Sequence, residues 1–343
     1  MVARDSRGRY YAAVTRRPLA APRALRLTLV AAMALLAIAP RLSLAQNYPT
    51  KAVRLIVPYT SGNTDTTARI YGQKLAERLG QQVVIDNRPG AGANIGAEIA
   101  ARAAPDGYVL FYLSMSHAIN ASLYHKLNYD LVKDFAPIAL LIASPYILTV
   151  HPSVPARTVK EFIALAKSRP GDLNYASAGN ASANSLAAEQ FKYLAGINVT
   201  HVPYKSAGAA VVSLVGGETV AMVATLPSVI EQFKTGRLIA LGVSTLKRDP
   251  TLPDVPTIDE AGVPGYEVFE WQGVVVPAGT PVAIINRLRQ EIVKSLALAD
   301  TKARIASVGA REVGSTPEEL ARHIKKELAI WERVVKLAGI RAD

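Results

Sequence analysis

Val53-Arg54-Leu55-Ile56-Val57 runs into Pro58-Tyr59-Thr60-Ser61-Gly62-Asn63-Thr64-Asp65, and apolar residues at helical spacing then extend from Thr66 to Leu79 before Gly80. A short β-branched run ended by a proline reads as a buried strand, because proline has no N–H to continue a ladder. A helical pattern stopped by glycine is a helix with a left-handed C-terminal cap. Gln82-Val83-Val84-Ile85-Asp86 restarts the strand signal. Strand, helix and strand in this order form a βαβ unit, whose crossover places the two strands parallel. The fold class is therefore α/β.

The same alternation continues outward. The Gly-rich turn Pro89-Gly90-Ala91-Gly92 leads to a helix from Ile95 to Ala103, and Pro105-Asp106-Gly107 turns into a strand from Tyr108 to Tyr112. A second block starts with a strand from Tyr146 to Val150. Thr158 then opens a helix to Lys167, with Glu161 at the spacing of a capping box. Strand signals at 174–176, 199–203, 220–224 and 239–244 alternate with helices at 184–195, 207–215 and 228–234. Pro250, Pro253, Pro256 and Pro264 mark 249–264 as an irregular connection, followed by a strand from Gly273 to Val276 and helices at 281–297 and 317–338. There is no tandem repeat.

The first 45 residues read differently. Eight arginines precede or flank an uncharged, mostly apolar run from Leu27 to Ala39, and Ser43-Leu44-Ala45 precedes Gln46. A basic region, a short apolar core and small residues before a cleavage point are the parts of a secretory signal. The run is shorter than the roughly 20 residues a membrane span needs. Residues 1–45 are expected to be removed on export, with cleavage near Ala45-Gln46. Thr15-Arg16-Arg17 leaves twin-arginine export open beside the general route.

Composition then excludes several function classes. The whole chain carries a net charge of +12, which falls to about +5 without the leader. That remainder is scattered without a basic block, so no nucleic-acid partner is implied. It is still compatible with an anionic ligand, because a cleft focuses a modest field. The absence of cysteine rules out disulfides, thiol catalysis and zinc–thiolate sites. His117, His125, His151, His201 and His323 show no metal-binding spacing, and there is neither a GxSxG elbow nor a GxxxxGK[ST] loop. No catalytic residue, metal or cofactor is expected.

Several ordered segments resemble the periplasmic substrate-binding proteins of tripartite tricarboxylate transporters, the Bug-type receptors. They include Asn87-Arg88-Pro89-Gly90-Ala91-Gly92, Pro105-Asp106-Gly107-Tyr108, Ser116-His117-Ala118-Ile119-Asn120 and Lys133-Asp134-Phe135. Further matches are Val150-His151-Pro152-Ser153-Val154-Pro155, Leu173 to Gly179, His201 to Lys205, Leu252 to Thr257, Glu260-Ala261-Gly262 and Pro277 to Pro281. The resemblance implies a two-lobe flytrap fold, type II-like, with two crossing strands. Residues 46–143 plus 266–343 would form one lobe and 144–265 the other. It implies capture of a small organic carboxylate (a dicarboxylate, aromatic acid or amino acid) by a monomer that delivers it to membrane permease subunits. A sensory receptor for a membrane histidine kinase would need the same flytrap. A periplasmic hydrolase is the remote alternative.

The candidate ligand contacts lie in loops after the strands, where ligands bind in open α/β sheets. In the first loop they are Tyr59, Ser61, Gly62, Thr64 and Asp65, with Asp65 doubling as a helix cap. Asn63 stands where relatives commonly have a second glycine. Ser114 and Ser116 read either as cleft hydroxyls or as turn formers. Ala178, Gly179, Asn180 and Ser182 precede the helix near Asn184 and form the opposite jaw, where N–H groups and the helix dipole favour an anion. Tyr204 reads as a donor to the ligand or as a core tyrosine, and Trp271 as a ligand stack or as hinge packing. Lys205 reads as a solvated charge, and the 89–96 turn as a structural loop bordering the cleft.

Overall fold

The computed structural model describes residues 3–4, 10–11, 48–60 and 63–340. In the unit Met1–Tyr48 the described backbone is an antiparallel pair, Ala3–Arg4 (β1) with Tyr10–Tyr11 (β2). The apolar run and the Ala45-Gln46 junction of the expected leader lie outside the described residues. In the unit Pro49–Asp343 are β3 (Val53–Val57), α1 (Asn63–Leu79), β4 (Val83–Asn87), a one-turn 3₁₀ helix (Ala91–Ala93), α2 (Asn94–Ala101), β5 (Val109–Ser114), α3 (Met115–Leu123) and β6 (Phe135–Val150). Then come α4 (Val159–Ser168), β7 (Asn174–Ser177), α5 (Ala183–Ala195), β8 (Thr200–Pro203), α6 (Ala207–Gly216), β9 (Ala221–Thr225), α7 (Leu226–Lys234) and β10 (Ile239–Val243). The chain continues with β11 (Phe269–Pro277), α8 (Val282–Leu296), α9 (Ala299–Ser307), β12 (Arg311–Glu312) and α10 (Pro317–Ala338). No helix among the described residues is long and apolar enough to cross a membrane.

The expected βαβ unit is present: β3 pairs parallel with β4 on one side and with β5 on the other. Gly80 closes α1 at φ +66°, and Thr158 and Glu161 form the capping box that opens α4. β7 likewise pairs parallel with β8 and β9. These two parallel sets meet through one strand. β6 pairs antiparallel with β11 over residues 135–145 and with β9 over residues 146–150, while β10 covers its other edge from Ile147 onward. The chain returns beside this crossing: Ser244 Oγ accepts from the Tyr146 N–H at 2.8 Å, and the Ser244 carbonyl accepts from the Val268 N–H at 3.1 Å.

Four expectations need correction. The crossing strand starts at Phe135 and not at Tyr146, and β11 starts at Phe269 and not at Gly273. Pro137 and Pro145 both sit within β6, and Pro145 lies where the strand changes partner. The helix α3 was not anticipated, because Ser, His and Asn are weak helix formers and hide its periodicity. Nor was α9, whose short, polar sequence separates two helices that read as successive.

One large apolar core lies in the unit Pro49–Asp343 and includes Phe111, Leu148, Phe191, Trp271 and Trp331. α10 lies against α3, α5 and β6, so the C-terminal helix touches elements from both halves of the sheet.

Candidate functional site

The carboxyl ends of β3, β4 and β5 and the start of α5 enclose a cavity of about 480 Å³. Its walls are Pro58-Tyr59-Thr60 after β3, Pro89, Gly90, Gly92 and Ala93 after β4, Ser116, Ile119, Asn120, Leu123 and Tyr124 on α3, and Ala181-Ser182-Ala183 at the start of α5. These residues include no Lys, Arg, His, Asp or Glu. α3 and α5 both begin at this cavity, and their first turns bring free N–H groups and partial positive charge to it.

The loop after β3 is braced from below its ends. The Asn87 side-chain amide donates to the Tyr59 carbonyl and, at 2.7 Å, to Asp65 Oδ1. Arg69 Nε donates to the other oxygen of Asp65 at 2.9 Å. Burial by itself raises the Asp65 carboxyl, but the bonds from Arg69 and Asn87 outweigh it and hold the pKa below the ordinary value. Both Asp65 oxygens are thus occupied, which makes it a brace for the loop. Thr64 Oγ1 accepts from Gln272 Nε2 at 3.1 Å, and Gln272 Oε1 in turn accepts from Thr67 at 2.6 Å and Tyr112 at 2.9 Å. This buried network ties the first turn of α1 to the returning strand β11. Ser61 and Gly62 lie outside the described residues.

Tyr59 lines the cavity and its phenol meets Ser114 Oγ at 3.2 Å. Burial raises its pKa, so it stays a neutral phenol. Ser114 itself is buried and caps α3. Its N–H donates to His117 Nδ1 at 3.1 Å, which requires that nitrogen to be unprotonated. Burial drives the His117 pKa down to about 4, so the ring is neutral at ordinary pH. Ser116, by contrast, reaches the cavity wall.

The Pro89–Ala93 turn forms a wall of the cavity. Ala91 and Ala93 take left-handed φ values of +48° and +81°, a conformation disfavoured for residues other than glycine. Asn120 holds the turn by donating to the Gly92 carbonyl at 2.7 Å, and it also donates to Asn94 Oδ1 at 2.9 Å. Asn120 and the apolar pair Ile119 and Leu123 are wall residues that sequence reasoning missed. The signal was the segment Ser116 to Asn120, which becomes informative only once α3 is seen to be a helix.

On the opposite side Ser182 is the N-cap of α5 and lies in the cavity wall. Its hydroxyl lies 2.7 Å from both the Gly179 carbonyl and Asn184 Oδ1, either of which can accept its one proton. Gly179 has φ +130°, which fits the need for glycine in this turn. Ala178, Gly179 and Asn180 support the turn without being among the wall residues. The Tyr204 phenol bonds Ser213, and its ring lies against the cluster of Ala176, Ala210 and Leu214, which is the packing role of its two readings. Trp271 is wholly buried with its indole N–H bonded to Glu327, so it too packs in the interior. Lys205 is exposed.

Ser177 and His201 do not form an accessible nucleophile and base. Ser177 Oγ lies 2.6 Å from His201 Nε2, but Ser177 is fully buried and its Oγ also accepts from the Gly179 N–H. A nucleophile needs access to its substrate, and this hydroxyl has none. Among the described residues no group of His, Asp and Glu is arranged to hold a metal ion.

Residues 67–340 match the model of the tripartite tricarboxylate transporter family receptor. The protein BugT of Bordetella pertussis is 34% identical over 300 residues, covering 87% of this chain and 92% of that one. The structure described as R. palustris Rpa4515 with adipate superposes with a TM-score of 0.71 at 36% identity, covering 86% of this chain and 99% of the other. MatC (Rpa3494) from Rhodopseudomonas palustris with bound malate gives a TM-score of 0.68 at 33% identity, covering 84% and 100%. The fold is thus that of the periplasmic binding proteins of this type.

Proposed function

Because the chain belongs to the tripartite tricarboxylate transporter receptor family, whose members are periplasmic solute-binding proteins, we propose that it captures a small organic carboxylate between two lobes and delivers it to membrane permease subunits. The lobes are residues 46–143 with 266–343, and residues 144–265. The working form is a monomer exported by a leader cleaved near Ala45-Gln46, and no covalent step takes place.

The observation that carries this reading is the wall of the cavity: helix starts from both halves of the sheet, hydroxyls at Tyr59, Ser116 and Ser182, and no acidic side chain among the described wall residues. An anion can be held there by amide N–H groups and helix dipoles without a full counter-charge. Two relatives of known structure carry adipate and malate, which fits the same ligand class. Closure of the lobes expels water and strengthens those bonds by lowering the local dielectric. The liganded, closed form would be the one the permease engages.

A thermal-shift screen of the purified protein against dicarboxylates, aromatic acids and amino acids tests the proposal. A ligand at 100 times its dissociation constant adds about 2.7 kcal/mol of stability. If sugars or metal cations raise the melting temperature and no carboxylate does, the ligand class is wrong.

A further inference from the structure

Glu270, which no cation pairs with among the described residues, stands where the chain crosses between the halves of the sheet. It lies on β11 opposite Ser144 of β6. Its Oε2 accepts from the Tyr146 phenol at 3.0 Å, its one hydrogen bond among the described residues. Tyr146 is the first residue of β6 to pair with β9 after β11 has let go at Pro145. The bond between the two side chains therefore spans the crossing.

The strand register brings Glu270 close behind the wall of the cleft. Gln272 is opposite Ser114, the last residue of β5. Ser114 Oγ in turn meets the phenol of Tyr59, a wall residue, at 3.2 Å, and Glu270 lies two residues along β11 from Gln272 on the same face. The charge of Glu270 is felt by the Tyr59 phenol in that wall. The other titratable groups around it are Tyr146 on β6, Tyr266 on the approach to β11 and Glu327 on α10. Of these, Tyr146 donates to it and Glu327 is a like charge that disfavours its ionised form.

We propose that Glu270 takes up a proton from solvent when an acid enters the cleft, so that the site receives the anion together with a proton. This rests on the reading of the cavity as a carboxylate site. The reason is electrostatic: no described wall residue is cationic, so an arriving anion and an ionised Glu270 would repel each other in a closing, water-poor space. Protonating the carboxylate removes that repulsion. Burial already pushes the Glu270 pKa up to about 7, close to where the exchange is needed.

Calorimetry of the full chain with adipate, L-malate and benzoate tests this. All three probes are ionised at pH 7, and the Glu270 variant separates a proton taken up by this carboxylate from one taken up by the bound acid. Titrations in phosphate and in Tris, whose ionisation enthalpies differ, should give different binding enthalpies, equivalent to roughly half a proton per acid at pH 7. The Kd should rise about fivefold from pH 7 to pH 8. Glu270→Gln keeps an acceptor for Tyr146 and should abolish both effects. If an acid binds the natural protein with one enthalpy in both buffers, or Glu270→Gln retains the uptake, the proton proposal is overturned and the carboxylate site stands. If none of the three acids binds the natural protein in either buffer while another class of solute does, the carboxylate reading has failed and the proton proposal with it.

Discussion

The Trp271 indole N–H donates to Glu327 Oε2 at 2.9 Å, joining the returning strand β11 to the C-terminal helix α10. Trp331, one turn further along α10, donates to the same oxygen at 2.9 Å. Both rings and the carboxylate are buried, and burial raises the Glu327 pKa against the lowering effect of the two indoles. One carboxylate thus satisfies two buried donors beside the crossing between the halves of the sheet.

Replacing Glu327 by Ala leaves both indoles without an acceptor. Each unpaired buried donor costs about 1–3 kcal/mol, so the urea midpoint should fall markedly. Glu327→Gln preserves an acceptor oxygen and should lose less than half as much. Equal stability of Glu327→Ala and the natural protein in urea titrations would show that the two bonds are not what holds α10 to β11.

Asn87 acts on ligand affinity through the loop it holds. Asn87→Ala removes the donor to the Tyr59 carbonyl and to Asp65. The loop of the cleft wall then loses its preorganisation, and affinity for whichever acid binds should drop about tenfold, a change of roughly 1.4 kcal/mol. Calorimetry reads this directly, and an unchanged Kd would show that the loop needs no brace.

Gly92 has room for a hydrogen and little else. A Cβ at this position would lie 2.5 Å from the Tyr124 hydroxyl, and the backbone there has φ +63°. Gly92→Val combines a clash with a strained left-handed conformation, at a cost of order 1–3 kcal/mol, and pushes the turn into the cavity. Binding should weaken more than it does in Ser182→Ala, where only a cap and a hydroxyl are lost, worth about 0.5–2 kcal/mol. The reverse order of affinities would place the ligand away from the Pro89–Ala93 wall.

His323 supplies a pH dependence whose sign can be worked out. Burial between Phe269 and Trp271 lowers its pKa from 6.5 to about 4, with Lys326 adding to the shift. Between those values the unfolded chain binds the proton and the folded chain does not, so stability falls as pH drops from about 6.5 towards 4. His323→Phe removes this proton linkage and keeps a ring against Phe269. Its melting temperature relative to the natural protein should therefore be higher at pH 4.5 than at pH 7.5. A constant difference across that range would mean that the imidazole is protonated in the folded state as easily as in the unfolded one.

Much of the architecture was legible along the chain because the signals are local. A β-branched run before Pro58, a glycine at position 80, and Thr158 with Glu161 each set backbone geometry within a few residues of themselves. Loops after strands in a parallel sheet gather at one end, so Tyr59, Ser116 and Ser182 were recognisable as candidates before their positions were known. All three line the cavity.

What the chain itself determined is therefore its alternation of strand and helix, its breaks, and the neutral, hydroxyl-bearing character of the loops. The tertiary structure decided the rest. Pro145 ends nothing, because β6 passes it and exchanges β11 for β9 at the next residue. Ser116, Ile119, Asn120 and Leu123 become one wall only when α3 winds them onto a common face, and Tyr204 turns to Ser213. Local propensity cannot specify these outcomes: partner choice by a strand and the direction of a side chain are set by which surfaces remain to be buried once distant segments have met.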